Sequence, residues 1–347
     1  VYTSNANTSA WTLKSYQDIN QSYFDTTAAV ISAGRNLRIA AEAVYNKSSV
    51  IEAADNVAID SARLINNTSS YVDNLTHYYE RIEYYTDGEG HRQSRLKKTS
   101  GIVQVNVLSK QAGIIKAGGA LNISSTLVEN GREGDFFAKS ELGPVLSGQS
   151  ISIKAEKLNN YGTVKASQSL TLSARDVNNI SNKYGYSKIS SAGSLTINAV
   201  NLLNSGSTIR GNYVTINTTG NLTNKADMSY DMAKDRFYGY QSLISGSNTL
   251  NMTADKYLSQ GGNLSGHEIS LRAADASFDT FLLKYDNSEK NMLSHVTTSG
   301  AFRLSTTNST SFRGIRLNVD SARFNIQGDF DVEPVYDKVQ YQPRSMY

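Results

Sequence analysis

Between Val145 and Asn224 apolar and polar positions alternate through four imperfect copies of one pattern. They read VLSGQSISIKAEKLNN (Val145–Asn160), TVKASQSLTLSARDVNN (Thr163–Asn179), KISSAGSLTINAVNLLN (Lys188–Asn204) and TIRGNYVTINTTGNLTN (Thr208–Asn224). The pairs Ile151/Ile153, Leu170/Leu172, Leu195/Ile197 and Val214/Ile216 enclose Ser152, Thr171, Thr196 and Thr215. That period of two predicts strands with one buried and one wet face. Ile153, Leu172, Ile197 and Ile216 follow one another at 19, 25 and 19 residues. Such spacings are far too short for a domain and suit one turn of a repeat array.

The pattern extends in both directions. Upstream, VISAGRNLRIAAEAVYN (Val30–Asn46), VIEAADNVAIDSARLIN (Val50–Asn66) and IIKAGGALNISSTLVEN (Ile114–Asn130) repeat it; downstream, Leu250 and Met252 are answered by Ile269 and Leu271. Asn46 and Asn66 occupy the same corner, where an asparagine tolerates a left-handed backbone and its amide can bond to the asparagine of the next repeat. The array is expected to run from residue 30 to 274, preceded by a further N-terminal repeat within 1–29. Degenerate repeats follow over 275–332, then a departing tail at 333–347. Within the degenerate part, SFDTFLLKYDNSEKNMLSHV is compatible with a short helix or a strand pair.

Three interruptions break the pattern, at 70–113, 131–144 and 226–241. The first reads as a hairpin, with an aromatic arm containing Tyr78, Tyr79, Tyr84 and Tyr85, a DGEG turn, and a basic arm with Arg92, Arg95, Lys97 and Lys98. The second carries Phe136 and Phe137, and the third Phe237, Tyr238 and Tyr240. Tyr and Arg are enriched where binding energy concentrates, and loops on a rigid scaffold carry recognition more often than the scaffold does. The plain alternative is a hairpin lying on the flank with solvated charges. Tyr78, Tyr79, Tyr84, Tyr85, Arg92, Arg95, Lys97, Lys98, Phe237, Tyr238 and Tyr240 form the candidate receptor-binding set.

Composition narrows the function. The 347 residues include no cysteine, so neither disulfides nor thiolate chemistry contributes, and only 3 Pro interrupt a chain rich in Gly, Ser, Thr and Asn. With 34 basic and 31 acidic side chains the net charge is +3, too balanced for a nucleic-acid groove. No run of about 18 apolar residues predicts a membrane-spanning helix, and Val1 opens no signal peptide, so the chain reads as a piece of something longer. Catalysis finds no foothold: His77, His91, His267 and His295 share no metal-ligand spacing, and no nucleophile elbow or phosphate-cradling loop occurs. Asp329, Asp331 and Glu333 would share one side of a strand, which reads as a charged edge before a calcium site. No catalytic residue, metal or cofactor is expected.

The A-G-x-x-L-x-I-x-A pattern with its following Asn, as at Ala33–Asn46, Ala117–Asn130 and Ala192–Asn204, resembles the haemagglutinin repeats of filamentous haemagglutinin and of contact-dependent growth inhibition effectors. The resemblance covers most of 30–274. It implies an all-β chain folded as a right-handed parallel β-helix, a solenoid with hairpin and loop excursions. It further implies a segment of a long exoprotein of a Gram-negative bacterium, secreted to the cell surface through a two-partner secretion transporter. Members of this family serve as passive stalks, as host-cell adhesins, or as segments that bind a receptor on a neighbouring bacterium for toxin delivery. The aromatic excursions and the Tyr- and Pro-bearing end, VYDKVQYQPRSMY, are similar to the receptor-binding case. The implied partner is an outer-membrane protein or surface glycan of a target cell, bound by a monomer.

Overall fold

The structure, a computed structural model, describes residues 12–16, 27–86, 90–108, 111–132, 143–181, 187–231, 236–285, 288–336 and 338–339. The chain divides into two compact units, Val1–Asp25 with Ser70–Lys110, and Thr26–Ser69 with Gln111–Tyr347. All regular structure among the described residues is β.

The larger unit is built on one long parallel sheet. Val145–Asn160 pairs on one side with Ile114–Ala117 and Ala120–Asn130, and on the other with Thr163–Ile180. The pairing continues through Lys188–Ser191 and Ser194–Ser205, Thr208–Thr218 and Asn221–Lys225, Leu243–Gln260 and Asn263–Asp279. It finishes in two sets of three short strands that end at Arg313 and Glu333. Parallel neighbours cannot be joined by a tight turn and need a crossover. Here the crossover is itself made of strands, because the intervening residues carry the same alternating pattern.

Register explains why the pattern recurs. Ile39, Ile59, Ile123, Ile153, Leu172, Ile197, Ile216, Met252, Leu271 and Leu304 are successive partners in one column. All from Ile59 onward are at most 2% exposed. Parallel columns run through Leu121, Leu170 and Leu195, through Leu64, Leu158 and Val177, and through Ile115, Leu146 and Val164. Together these columns make one continuous apolar cluster. The interruption at 70–113 leaves the columns intact, since Val57 pairs directly with Leu121 across the inserted chain.

A polar column runs beside the apolar ones. Asn46, Asn66, Asn130, Asn160, Asn179, Asn204 and Asn224 each bond to the next, amide nitrogen to amide oxygen, at 2.8–2.9 Å. All seven are at most 2% exposed. The second N–H of each side chain reaches a backbone carbonyl further along, among them Ile114, Val145, Lys188, Thr208 and Leu243. The ladder satisfies buried amides that would otherwise lack water. One expectation is corrected here: these asparagines hold extended backbone, not left-handed turns. A positive φ falls two residues after Asn46 and Asn204, at Ser48 and Gly206, and one residue after Asn130, at Gly131. A carboxamide pointing along the stack needs strand geometry, so the bend is displaced into the following residues.

Past Asn224 the column changes character, its next members being Ser259, Phe278, Phe312 and Val332. An aromatic interior replaces the amide ladder. Phe278 lies 5.1 Å from Tyr257 and 5.2 Å from Phe312 between ring centroids, and Phe312 lies 5.2 Å from Phe330. Edge-on packing of this kind adds to simple burial. The Tyr257 hydroxyl is sealed beneath Ser259 and Asn224 without a hydrogen bond of good geometry, and burial pushes the phenol far above its usual titration range. At the last rung Phe324, Phe330 and Val332 are exposed, as are Val30 and Ile31 at the first.

Other sequence expectations change in detail. Within the segment 1–29, the described strand Thr12–Tyr16 pairs antiparallel with Ser70–Thr86 in the smaller unit rather than with the parallel sheet. A short edge strand satisfies the ribbon's backbone there, and local alternation alone cannot distinguish the two pairings. Phe281–Tyr285 and Ser288–Met292 form an antiparallel hairpin, which resolves the helix-or-strand-pair ambiguity. The tail returns, Lys338–Val339 pairing with that hairpin. Phe136 and Phe137 lie outside the described residues.

Four stability outcomes follow. Replacing Asn179 by Ala strips Asn160 of its acceptor and Asn204 of its donor, and should cost about 2–4 kcal/mol in urea unfolding. Asn217→Ala, at an exposed outward pair with Asn198, should stay within about 0.5 kcal/mol. Deleting Lys188–Ser207 removes one full period, because Lys188 and Thr208 are register partners. That deletion should leave a cooperative, strand-rich protein, whereas deleting Lys188–Asn198 should abolish cooperative unfolding by throwing later strands off register. Tyr257→Phe, which removes an unpartnered hydroxyl, should leave stability unchanged or raise it by about 1 kcal/mol.

Candidate functional site

The largest departure from the parallel pattern is the antiparallel ribbon of Ser70–Thr86 with Arg92–Leu108, in register from Ser70 opposite Leu108 to Thr86 opposite Arg92. Its alternating sequence forms two long strands because a Gly-containing turn, ending at Gly90 with φ 87°, reverses the chain between them. Thr12–Tyr16 covers the first strand from His77 to Glu80 only. From Arg81 to Lys97 the pairing among the described residues is therefore two-stranded. A two-stranded ribbon is marginal in water without further packing.

What the tip displays follows from the pleat. Ile82 stands opposite Leu96, and both are exposed, at 43% and 53%. Tyr84 and Arg92 share their face, with the Arg92 guanidinium carbon 4.8 Å from the Tyr84 ring centroid. On the other face the Arg95 guanidinium lies 5.4 Å from the ring of Tyr85, itself 45% exposed. Both contacts are diagonal, since Tyr84 directly opposes Ser94 and Tyr85 opposes Gln93. Each exposed cation–π pair is worth about 0.5–1 kcal/mol, and it fixes the orientation of a ring and a fork of donors together. Lys97 and Lys98 continue the basic strand opposite Arg81 and Glu80.

The ribbon thus brings together Tyr84, Tyr85, Arg92, Arg95, Lys97 and Lys98 of the expected set. Tyr78 and Tyr79 take register positions opposite Ser100 and Thr99, and their side chains lie outside the described residues. Ile82 and Leu96 were not among the expected residues. Single apolar residues between tyrosines and lysines carry no signal until register sets them opposite each other.

Phe237, Tyr238 and Tyr240 belong to the larger unit. They lie on Arg236–Tyr240, antiparallel to Asp227–Asp231; the side chains of Phe237 and Tyr238 lie outside the described residues, and Tyr240 is half-buried. A Cβ at Gly239 would run into Met292 Sδ and the Leu283 side chain, so this strand pair lies against Phe281–Met292. Gln241 bonds to the Leu293 carbonyl at 3.2 Å. The excursion is partly a packing device.

Chemistry-bearing groups elsewhere are engaged structurally. His267 Nδ1 lies 3.0 Å from Ser299 Oγ, and burial followed by the nearby Arg316 pushes His295 below the usual imidazole range. Glu333 accepts two bonds from Arg313, at 2.9 and 2.6 Å. Among the described residues no group of three or more His, Cys, Asp and Glu side chains is placed to hold a metal ion. Comparison of the chain with family models, with curated proteins and with solved structures finds no match to any of them.

Proposed function

We propose that the chain is a receptor-binding segment of a secreted, cell-surface filament of a Gram-negative bacterium. On this reading the parallel sheet winds as a right-handed β-helix, and the Ser70–Leu108 ribbon grips an outer-membrane protein of a neighbouring cell. A toxin carried elsewhere in the longer protein would be delivered through that contact. The observation that carries the reading is the ribbon tip, where the Arg92–Tyr84 pair lies beside an exposed Ile82/Leu96 pair on one face and the Arg95–Tyr85 pair occupies the other. Such a surface combines aromatic anchors, Arg and a small apolar centre, the composition of a binding hot spot. The winding is supported by strands that pair in parallel with the segment about one repeat on, and by columns that keep one residue type over many rungs. The resemblance of the repeats to those of growth inhibition effectors supplies the biological setting.

The complement of this basic tip is an acidic set of extracellular loops. Replacing Tyr78–Lys98 by a short Gly-Ser turn should keep a strand-rich circular-dichroism spectrum and abolish binding of labelled protein to Gram-negative target cells in flow cytometry. Arg92→Ala with Arg95→Ala should weaken binding at least tenfold, and binding by the unaltered chain should fall as salt rises. Cell binding that survives the ribbon replacement would overturn the assignment.

A further inference from the structure

We propose that the larger unit carries a second binding site, a cleft for an acidic oligosaccharide on the outer face of its first five rungs, independent of the ribbon. The cleft has a volume of about 580 Å³ and crosses the strands Leu37–Lys47, Val57–Asn67, Ala120–Asn130, Val145–Asn160 and Thr163–Ile180. Register builds it. Tyr45, Ile65, Glu129, Asn159 and Asn178 are successive partners in one column, open at Tyr45 and recessed at Asn159, with rungs about 4.8 Å apart. Lys47 stands two residues along the strand on one side of that column, and Lys157 two residues along on the other. Arg132 joins them just beyond the left-handed corner at Gly131.

Three features specify the ligand. Tyr45 is 57% exposed at one end of the column, an open ring face of the kind that covers the C–H side of a sugar. Asn178 donates to Asn159 Oδ1 at 2.9 Å. That bond leaves one amide acceptor and one amide donor of the pair with no protein partner among the described residues, which suits adjacent hydroxyls. Lys47, Arg132 and Lys157 are exposed and form no ion pair with a carboxylate among the described residues, against the single acid Glu129 in the lining. Cations held around an aromatic face and paired amides select a sugar bearing carboxylates. Three cations are too few to follow a nucleic-acid backbone, and the wall offers no deep apolar pocket for a peptide side chain.

Titration calorimetry on the full chain tests the site with an oligogalacturonate tetramer, with maltotetraose as the neutral control. The tetramer should bind and maltotetraose should not. Tyr45→Ala, and separately Lys47→Ala with Lys157→Ala, should each weaken binding at least tenfold. Lys165→Ala with Arg210→Ala removes the same charge from another basic patch of the same sheet and should change affinity less than threefold. All variants alter exposed side chains and should retain the circular-dichroism spectrum. Absence of binding by the tetramer, equal binding of maltotetraose, an unchanged Tyr45→Ala, or equal weakening by the Lys165/Arg210 pair would each overturn the cleft. Unimpaired tetramer binding by the ribbon-replaced chain would establish that the two sites are separate.

Discussion

In-register parallel pairing is the constraint on which everything else depends. Because each residue pairs with its equivalent about one repeat on, a side chain must be compatible with its own kind above and below. Aliphatics meet this requirement without direction. Asparagine meets it with direction, since one amide both donates and accepts along the axis, and the seven-residue ladder is the result. The ladder also fixes register more strictly than the aliphatics do. A slip by one residue would bury outward polar side chains and leave every amide in the column without its partner.

That strictness has a consequence for where the chain can vary. Insertions are tolerated wherever both ends return to adjacent rungs, as at Ser70–Leu108, which enters and leaves between two directly paired strands. The rungs themselves cannot change without disturbing a column. Variation in residue type is therefore left to inserted ribbons and to outward positions, where no buried neighbour must be matched. Tyr45 and Lys47 alternate with the buried Val44 and Asn46 on a single strand, and so combine a free surface with a fixed spacing.

The replacement of amides by aromatics after Asn224 shows the same rule with different chemistry. Tyr257, Phe278, Phe312, Phe324 and Phe330 interlock edge-to-face or tilted, each ring contacting the next rung. Rings fill the interior where strands shorten from Asn263–Asp279 to four-to-six-residue pieces such as Thr310–Arg313. Larger side chains there compensate for fewer ladder hydrogen bonds per rung.

Periodicity in the sequence was sufficient to determine the all-β class, the inward residues from Ile59 to Leu271 and the asparagine column, because each rests on repetition that local spacing records. It also located the Tyr/Arg ribbon, since loss of the pattern is as legible as the pattern. Partner choice was decided by tertiary structure. Whether Thr12–Tyr16 joined the parallel stack or the ribbon, and whether Phe281–Met292 was helix or hairpin, turned on which backbone edge was available. The Ile82/Leu96 pair, the Arg92–Tyr84 diagonal and the Tyr45–Lys157 cleft likewise exist only once register is set. Their members lie on different strands, up to 112 residues apart for Tyr45 and Lys157, and no local pattern encodes which strands become neighbours.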